Sequence, residues 1–249
     1  MEGRLELEIA RKQGSSAVIY SQCAGPLKLG MPGGKTDRLE LILMMASAGI
    51  LKGDSLSYQF LCREGSKAVI TEQSYSKIFD TGAGAGQKQT DIRLEGDASL
   101  FYCPSAVIPF AGSCFRGNMT VALDRESEFL CWDMVTAGRV GMGETFAFAS
   151  YRNRICVTEE GRPVWLDHCL LEPERMDVRG MVFLDGHTHQ GTLYYHGPAA
   201  KEERLLDYQA AGPVLMAKTR PAVGVCFRLL ADTAQNMEEE FVRMRELVG

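Results

Sequence analysis

The sequence lacks long apolar runs, paired cysteines and a basic excess, and each absence excludes a class of protein. No segment approaches the roughly 18 consecutive apolar residues of a membrane span. The opening residues, MEGRLELEIARKQGSS, contain early acids instead of the apolar segment of a signal peptide. Lys and Arg number 27 against 32 Asp and Glu, so a phosphate-binding surface is not expected. We therefore expect a cytoplasmic protein that binds neither a membrane nor a nucleic acid.

Common catalytic and metal-binding motifs are also missing. The eight cysteines contain no CxxC pair, so we expect reduced, mostly buried thiols in place of a structural zinc site. The sequence has no HExxH and no nucleophile elbow. GMPGGKTD (Gly30–Asp37) is one residue too short for a phosphate-binding loop, and its glycines and proline predict a hairpin turn. TGAGAGQ (Thr81–Gln87) does not match GxGxxG, and we predict a flexible loop that could order against a partner.

Strand patterns dominate the first three quarters of the chain. RLELEIA alternates strictly, with Leu5, Leu7 and Ile9 on one face and Glu6 and Glu8 on the other. Similar short segments, rich in β-branched and aromatic residues and bounded by turn residues, follow along the chain. No convincing amphipathic helix is visible before residue 195. The sequence therefore predicts a mainly β protein.

Two helices are predicted near the C-terminus. PAAKEERLLDYQAAGP has Pro198 near its first turn and ends at Gly212 and Pro213. DTAQNMEEEFVRMRELVG has Asp232 as its expected N-cap and apolar residues at helical spacing. With 249 residues and 45% apolar composition, we predict one domain over residues 1–249. Its β body covers residues 1–197, and its helix-containing part covers residues 198–249.

A weak repeat runs through the β part. EGSKAVIT (Glu64–Thr71) is followed 31 residues later by EGDASLFY and after another 31 by ESEFLCWD. After a further 34 residues comes EGRPVWLD (Glu160–Asp167). This period favours a coil of stacked β turns over an immunoglobulin-like sandwich, although chance similarity is an open alternative. If the units are equivalent, one column contains Thr71, Tyr102, Asp133 and Asp167.

The histidines suggest a competing hypothesis. His187 and His189 would share a face if they lay in one strand, and both imidazoles could then reach one metal ion. A metal-dependent enzyme that uses His187, His189 and an acid is therefore one alternative. A β-rich ligand-binding module without a metal is another.

Several segments resemble, in the same order, the urease accessory protein family UreD, also called UreH. They cover nearly the whole chain: AGPLKLG (24–30), AGILKGDSLSYQF (48–60), AVITEQSYSKIF (68–79), FLCWDMVTAGRVGMGETFAFAS (129–150), GRPVWLDHCLLE (161–172), GTLYY (191–195) and the C-terminal VCFRLLADTAQNMEEEFVRMRELV. The sequence departs from the family pattern around KGD, where Lys52 replaces the first glycine of Gly-Gly-Asp. Met45–Gly49 stands where the family often has His-Pro-Pro-Gly-Gly.

The resemblance implies a fold and a function. Such proteins have a β-helical, two-layered body with two helices, and they are scaffolds without enzymatic activity. They bind the urease apoprotein and UreF, through which the GTPase UreG joins. They hold no tightly bound cofactor, and they pass Ni²⁺ transiently through an internal, water-filled passage towards the urease active site.

The resemblance also implies site residues. Asp54 of KGD, Asp133 of WD and Asp167 of WLD match acids that line the passage. Ser76 and Lys77 match a neighbouring Ser-Lys pair, and Arg139 and Glu144 match the family's GR…GE segment, so these four are predicted binding residues. His187 and His189 lie outside the family pattern, and we predict an exposed loop or strand end with an auxiliary nickel contact there.

The repeat and the resemblance both select Asp133 and Asp167. A pair of carboxylates inside a dry β coil would be costly, whereas a water-filled passage removes most of that cost. A conduit must also release its ion, and carboxylates hold Ni²⁺ more loosely than thiolate or imidazole clusters. The alternative is that both aspartates form ordinary salt bridges at strand ends.

Overall fold

A computed structural model describes residues 1–32 and 37–249 and shows a two-layered β coil with two helices. A 3-10 turn spans Val140–Met142, α1 spans Ala199–Asp207 and α2 spans Ala234–Glu246. The strands are β1 (Glu2–Lys12), β2 (Ser15–Ala24), β3 (Leu27–Gly30), β4 (Leu39–Met45), β5 (Ser55–Cys62), β6 (Lys67–Glu72), β7 (Ser76–Ile78), β8 (Gly86–Leu94), β9 (Ser99–Cys103), β10 (Val107–Pro109), β11 (Cys114–Leu123), β12 (Glu128–Thr136), β13 (Ser150–Glu159), β14 (Arg162–Leu171), β15 (His189–His196), β16 (Leu215–Thr219) and β17 (Val225–Ala231).

The strands form two sheets, which we call sheet A and sheet B. Sheet A has the order β14-β13-β11-β8-β5-β1-β2, and sheet B has the order β16-β17-β15-β12-β9-β6-β4-β3. The short strands β7 and β10 pair beside β12. From β4 to β13 the longer strands alternate between the sheets and pair in parallel within each sheet. This winding is a β-helix, and the predicted mainly β, β-helical, two-layered fold with two C-terminal helices is confirmed.

The coil explains the repeat seen in the sequence. In sheet B, Lys67 pairs with Ser99 and Ser99 pairs with Glu128, so one turn takes 99 − 67 = 32 residues and the next takes 128 − 99 = 29. Gly65 and Gly96 turn the chain before two of these strands, with φ of 73° and 56°, and this left-handed backbone favours glycine. The first three copies of the repeat are therefore turns of the coil with unequal lengths, whereas the fourth copy leads into β14, which pairs antiparallel with β13 in sheet A.

The core between the sheets follows from strand alternation. Leu5, Leu7 and Ile9 of β1 are at most 2% exposed, as the sequence predicts. Each such side chain contributes roughly 1.5–3 kcal/mol when it is removed from water. Phe60 and Tyr102 meet edge to face at 5.6 Å across this interior. The two sheets are thus held together mainly by apolar packing.

A second core lies between α2 and the outer face of sheet B. Met237, Phe241 and Met244 are fully buried, and the Phe241 ring stacks on Trp132 at 5.3 Å. Gly191 permits this approach, since a Cβ there would lie 2.4 Å from the sulfur of Met237. Both helices are confirmed. Their ends differ from the prediction, however, because Thr233 rather than Asp232 caps α2, and α1 ends at Asp207 where Tyr208 becomes extended.

The two predicted loops have different outcomes. Strands β3 and β4 pair antiparallel on either side of GMPGGKTD, but the predicted hairpin turn itself lies outside the described residues. The segment from Thr81 is a tight turn that leads into β8 at Gly86. Among the described residues, no helix is long and apolar enough to cross a membrane.

Candidate functional site

A line of polar side chains interrupts the apolar interior between sheets A and B, from β6 and β8 at one end to β14 and β17 at the other. We call this line the polar seam. Its members project from both sheets and contact each other across the gap or along it: Glu72, Lys88, Tyr102, Asp133, Tyr151, Asn153, Asp167 and Arg228. Such a concentration of charge between two sheets needs partners or water, because an unpaired buried charge is costly.

Asp133 occupies the middle of the seam. It projects inward from β12, on the face that also carries Phe129 and Cys131 of the main core. The Tyr151 hydroxyl donates a hydrogen bond to its carboxylate at 3.2 Å, and the Asn153 side chain also bonds to it. Removal from bulk water raises the pKa of Asp133, and the negative charge of Asp167 raises it further. No cation pairs with Asp133 among the described residues.

Asp167 and Arg228 form the outer end of the seam. In sheet B, Asp133 pairs with Thr192 and Thr192 pairs with Arg228, so these three side chains share the inner face. Arg228 reaches across to Asp167 of sheet A at 2.5 Å. Its side chain is 42% exposed, so this ion pair lies at the open edge between the sheets. The pair is the boundary between the seam and solvent.

Lys88 and Glu72 form the inner end of the seam. The Lys88 ammonium donates to the Glu72 carboxylate at 2.5 Å, and the Tyr102 hydroxyl donates to the same oxygen at 3.2 Å. Burial alone would lower the pKa of Lys88, but Glu72 and the neighbouring tyrosines outweigh burial and hold it well above its usual value. Lys88 therefore stays protonated at this end, and Glu72 neutralises its charge.

A small cavity lies between the two ends. It measures about 30 Å³ and is bordered by Lys88, Tyr102, Asp133 and Asn153. One water molecule needs a cavity of roughly 10–15 Å³ on this scale, so the seam has room for about two. Gly117 of β11 helps to open it, since a Cβ at this position would lie 2.2 Å from the Asn153 amide oxygen. The seam can thus hydrate the Asp133 carboxylate.

The predicted column of four residues is wrong as a column, although it contains the two central acids. Tyr102 pairs with Ile70 and Cys131, so Thr71 faces the opposite side of sheet B. Asp167 lies on β14 of sheet A, opposite Ile155. Equal spacing misplaces Thr71 because the two turns take 32 and 29 residues, and it misplaces Asp167 because β14 pairs antiparallel with β13 in sheet A. Asp133 and Asp167 still approach each other, across the interior and not along one sheet.

The other predicted residues lie apart from the centre of the seam. Asp54 is 3% exposed, accepts a hydrogen bond from the Leu51 N–H at 2.8 Å and pairs with the N-terminal ammonium of Met1 at 2.6 Å. Ser76 is buried in β7, and Lys77 beside it is exposed. Ser76 pairs with Val107, which borders the cavity, so Ser76 is the nearer of the two to the seam.

Arg139 and Glu144 form a local pair in the loop after β12. Their side chains meet at 2.5 Å, and the Arg139 guanidinium lies 4.5 Å from the Phe110 ring centre. Each charge is thereby partly satisfied inside the loop. A role for them in partner binding stays a prediction.

The histidines do not form the expected arrangement. His187 precedes β15 and contacts Asp232 at 3.1 Å. His189 begins β15 and is 5% exposed, so the prediction that it is exposed is wrong; burial lowers the pKa of its imidazole. In the described part of the chain, no three His, Cys, Asp or Glu side chains are grouped to hold a metal ion. An auxiliary nickel contact at His187 and His189 stays a prediction.

Sequence reasoning missed most of the seam. Glu72, Lys88, Tyr151, Asn153 and Arg228 contact or neighbour the predicted acids only after the coil has formed. One signal was available, because Lys88 and Asn153 interrupt the inward-facing apolar positions of their strands. Chemically, the seam offers separate carboxylates, hydroxyls and amides that can be hydrated, flanked by two ion pairs. Their oxygen atoms are hard donors, the type that divalent cations such as Mg²⁺ and Ca²⁺ prefer.

Comparison with known proteins gives the family. The model of the family described as UreD urease accessory protein matches residues 1–249. Urease accessory protein UreD of Acetivibrio thermocellus is 27% identical over 256 aligned positions, which cover 99% of this chain and 97% of that protein. Urease accessory protein UreD of Bacillus sp. strain TB-90 is 30% identical over 259 aligned positions, which cover 99% of this chain and 95% of that protein.

A shorter match is found with urease accessory protein UreH of Helicobacter pylori strain P12. It is 33% identical over 155 residues, which cover 62% of this chain and 58% of that relative. The chain thus spans less than two thirds of the Helicobacter protein's length in this match. The whole-chain matches show the family, and they confirm the prediction of an accessory protein. The chain belongs to the UreD family of urease accessory proteins.

Proposed function

We propose that this protein is a cytoplasmic scaffold for urease maturation that passes Ni²⁺ along the polar seam. In this proposal it binds the urease apoprotein and UreF, and UreG joins through UreF. Nickel is cargo and not a resident cofactor. The observation that supports the proposal best is the position of Asp133, which borders a cavity large enough for water, has no paired cation among the described residues and lies near Asp167 at the open edge.

The electrostatics of the seam favour transfer of a nickel ion over its storage. Asp133 lacks a paired cation among the described residues and has a raised pKa, so a passing divalent cation gains a favourable partner there. Two hydrogen bonds, from Tyr151 and Asn153, orient the carboxylate. Because the ligands are single oxygen donors, the ion can move on to the next group. Arg228 would have to release Asp167 for an ion to pass the edge.

A cellular experiment tests this function. Cells that carry the complete urease operon would express the wild-type chain, Asp133→Asn/Asp167→Asn, or Asp207→Asn as a matched control. Asp207 is an exposed aspartate at the end of α1. We expect the double variant to lose most urease activity while pull-down still recovers the complex, and the control to retain activity. Full activity of the double variant would contradict nickel passage along the seam.

A further inference from the structure

The outer face of sheet A carries a basic surface next to the open edge of the coil. Arg116 of β11 pairs directly with Arg152 of β13, and Arg154 lies two residues further along β13. Their neighbours Phe115, Met119 and Ile155 are buried in the core, so strand alternation directs the three arginines outward. A shallow groove of about 210 Å³ runs between the arginines and the amides of β8 and β11.

Among the described residues, these arginines have no acidic partner. No carboxylate lies within ion-pair distance of Arg116, Arg152 or Arg154 in residues 1–32 and 37–249. By contrast, Arg4 and Arg93 of sheet A pair with Glu6 and Asp124, and Arg63 after β5 pairs with Glu8 and Glu95. Like charges directly opposite each other weaken a sheet, and this chain has a net charge of −5. In the described part of the chain, these three arginines therefore repel one another with no carboxylate to neutralise them.

The neighbouring edge strand adds apolar groups to the same face. Leu166 and Leu170 of β14 are 58% and 37% exposed. They point outward, as does His168 between them, which accepts a hydrogen bond from Arg152 at 3.0 Å. We call the surface formed by Arg116, Arg152, Arg154, Leu166, His168 and Leu170 the Arg-Leu face. Arginine and exposed apolar side chains together are typical of protein interfaces.

The Arg-Leu face lies next to the Asp167–Arg228 ion pair at the outer end of the polar seam, which we call the mouth of the seam. Asp167 lies between Leu166 and His168 on β14, with its side chain turned inward to Arg228. β14 is the last strand of sheet A, so its free edge is open to a partner. A protein seated on the outward side chains would lie within a few ångströms of the seam's outer ion pair.

We propose that the Arg-Leu face binds a carboxylate-rich surface of a partner protein in the urease maturation complex, next to the mouth of the seam. The choice of partners rests on the proposed function, whereas the surface rests on its own geometry. Carboxylates of the partner would pair with the three arginines, and an apolar contact would cover the two leucines. Charge complementarity would then set both orientation and association rate.

Pull-down with defined proteins tests the proposal. The full-length chain would be mixed separately with the urease apoprotein and with UreF, without nickel. Variants would be Arg116→Glu/Arg152→Glu/Arg154→Glu and, as a control with the same change of charge, Arg11→Glu/Lys12→Glu/Lys28→Glu on exposed residues elsewhere. We expect the first variant to lower affinity for at least one partner roughly tenfold or more. The control should bind within about twofold of wild type.

Further experiments distinguish a loss of electrostatic binding from damage to the fold. A polyglutamate peptide should compete with the partner for the wild-type chain, and higher salt should weaken the same complex. Leu166→Ser/Leu170→Ser should also weaken binding while the salt dependence remains. Unfolding curves of each variant should match wild type, because all substituted positions are at least partly exposed.

Unchanged binding of both partners by the triple arginine variant would overturn the proposal. An equal loss with the control variant would also overturn it, since net charge alone would then explain the effect. Because nickel is absent from these mixtures, nickel passage can fail in its own test while docking stands, and docking can fail while passage stands.

Discussion

Strand β12 carries two acids in contrasting surroundings. Glu128 begins the strand and accepts hydrogen bonds from Arg38, Ser99, Tyr195 and Lys201 at 2.6–2.8 Å. Burial opposes its charge, but these donors outweigh burial and lower its pKa to about 2. Asp133, five residues later, receives two hydrogen bonds and no cation among the described residues, and its pKa is raised.

The difference separates a structural acid from a functional one. Lys201 connects Glu128 to α1 and also donates to the Val248 carbonyl at 2.6 Å, so Glu128 joins the helices to the coil. Asp133 hydrogen-bonds only Tyr151 and Asn153 of β13 across the interior and has no cationic partner among the described residues. The Asp133 carboxylate lies beside a cavity and can accept further hydrogen bonds, which makes it available to a ligand. Leaving these bonds unmade costs the fold stability.

The largest effect should come from breaking the structural acid. Glu128→Gln leaves Arg38 and Lys201 without their carboxylate, and removing one partner of a buried ion pair costs about 3 kcal/mol. Urea unfolding of the full-length chain would measure this loss. A change below about 1 kcal/mol would mean that the network is exposed to water and that the comparison with Asp133 fails.

The two acids should respond to pH in opposite directions. The depressed pKa of Glu128 gives stability that is full above about 4.5 and is lost as the pH falls towards 2. The raised pKa of Asp133 gives stability below its usual 3.8 that is lost as the pH rises through the raised value. Unfolding free energies of wild type, Glu128→Gln and Asp133→Asn, measured from roughly pH 3 to 7, would show the two slopes.

In that series, Glu128→Gln should remove part of the acid sensitivity of the wild type. Asp133→Asn should gain stability relative to wild type as the pH rises. Parallel curves for all three proteins would show that neither acid has a perturbed pKa.

At the edge of the seam, the ion pair should contribute less than the Glu128 network. Arg228 is 42% exposed, so a double-mutant cycle of Arg228→Gln and Asp167→Asn should give a coupling of about 0.2–1 kcal/mol. A coupling above about 3 kcal/mol would indicate a buried, structural pair that could not open for an ion.

The smallest effect on stability should come from Asp133→Asn itself. Asparagine keeps the shape and can still bond to Tyr151 and Asn153, while the poorly compensated charge disappears. We expect the free energy of unfolding at neutral pH to change by less than about 1 kcal/mol, or to rise. Thermal or urea unfolding would measure it, and a loss of about 3 kcal/mol would assign Asp133 a structural role instead.

The comparison also shows what the sequence can predict. Alternation in β1 and the apolar spacing of α2 place side chains directly, because both patterns are local. The coil could be predicted from its polar turns, but register could not, since loops of unequal length shift the pairing by one residue and turn Thr71 outward. The family resemblance placed Asp133 and Asp167 in a shared interior. Arg228 lies 61 residues from Asp167, and no local pattern links them.

The most direct test of the central role of Asp133 is the nickel content of urease after activation by purified components. The urease apoprotein would be incubated with UreF, UreG, GTP, Ni²⁺ and either the wild-type chain, Asp133→Asn or Asp207→Asn. Nickel per urease active site would then be measured by mass spectrometry. We predict that Asp133→Asn assembles normally and delivers much less nickel than both other chains. Equal nickel in all three samples would contradict passage through the seam.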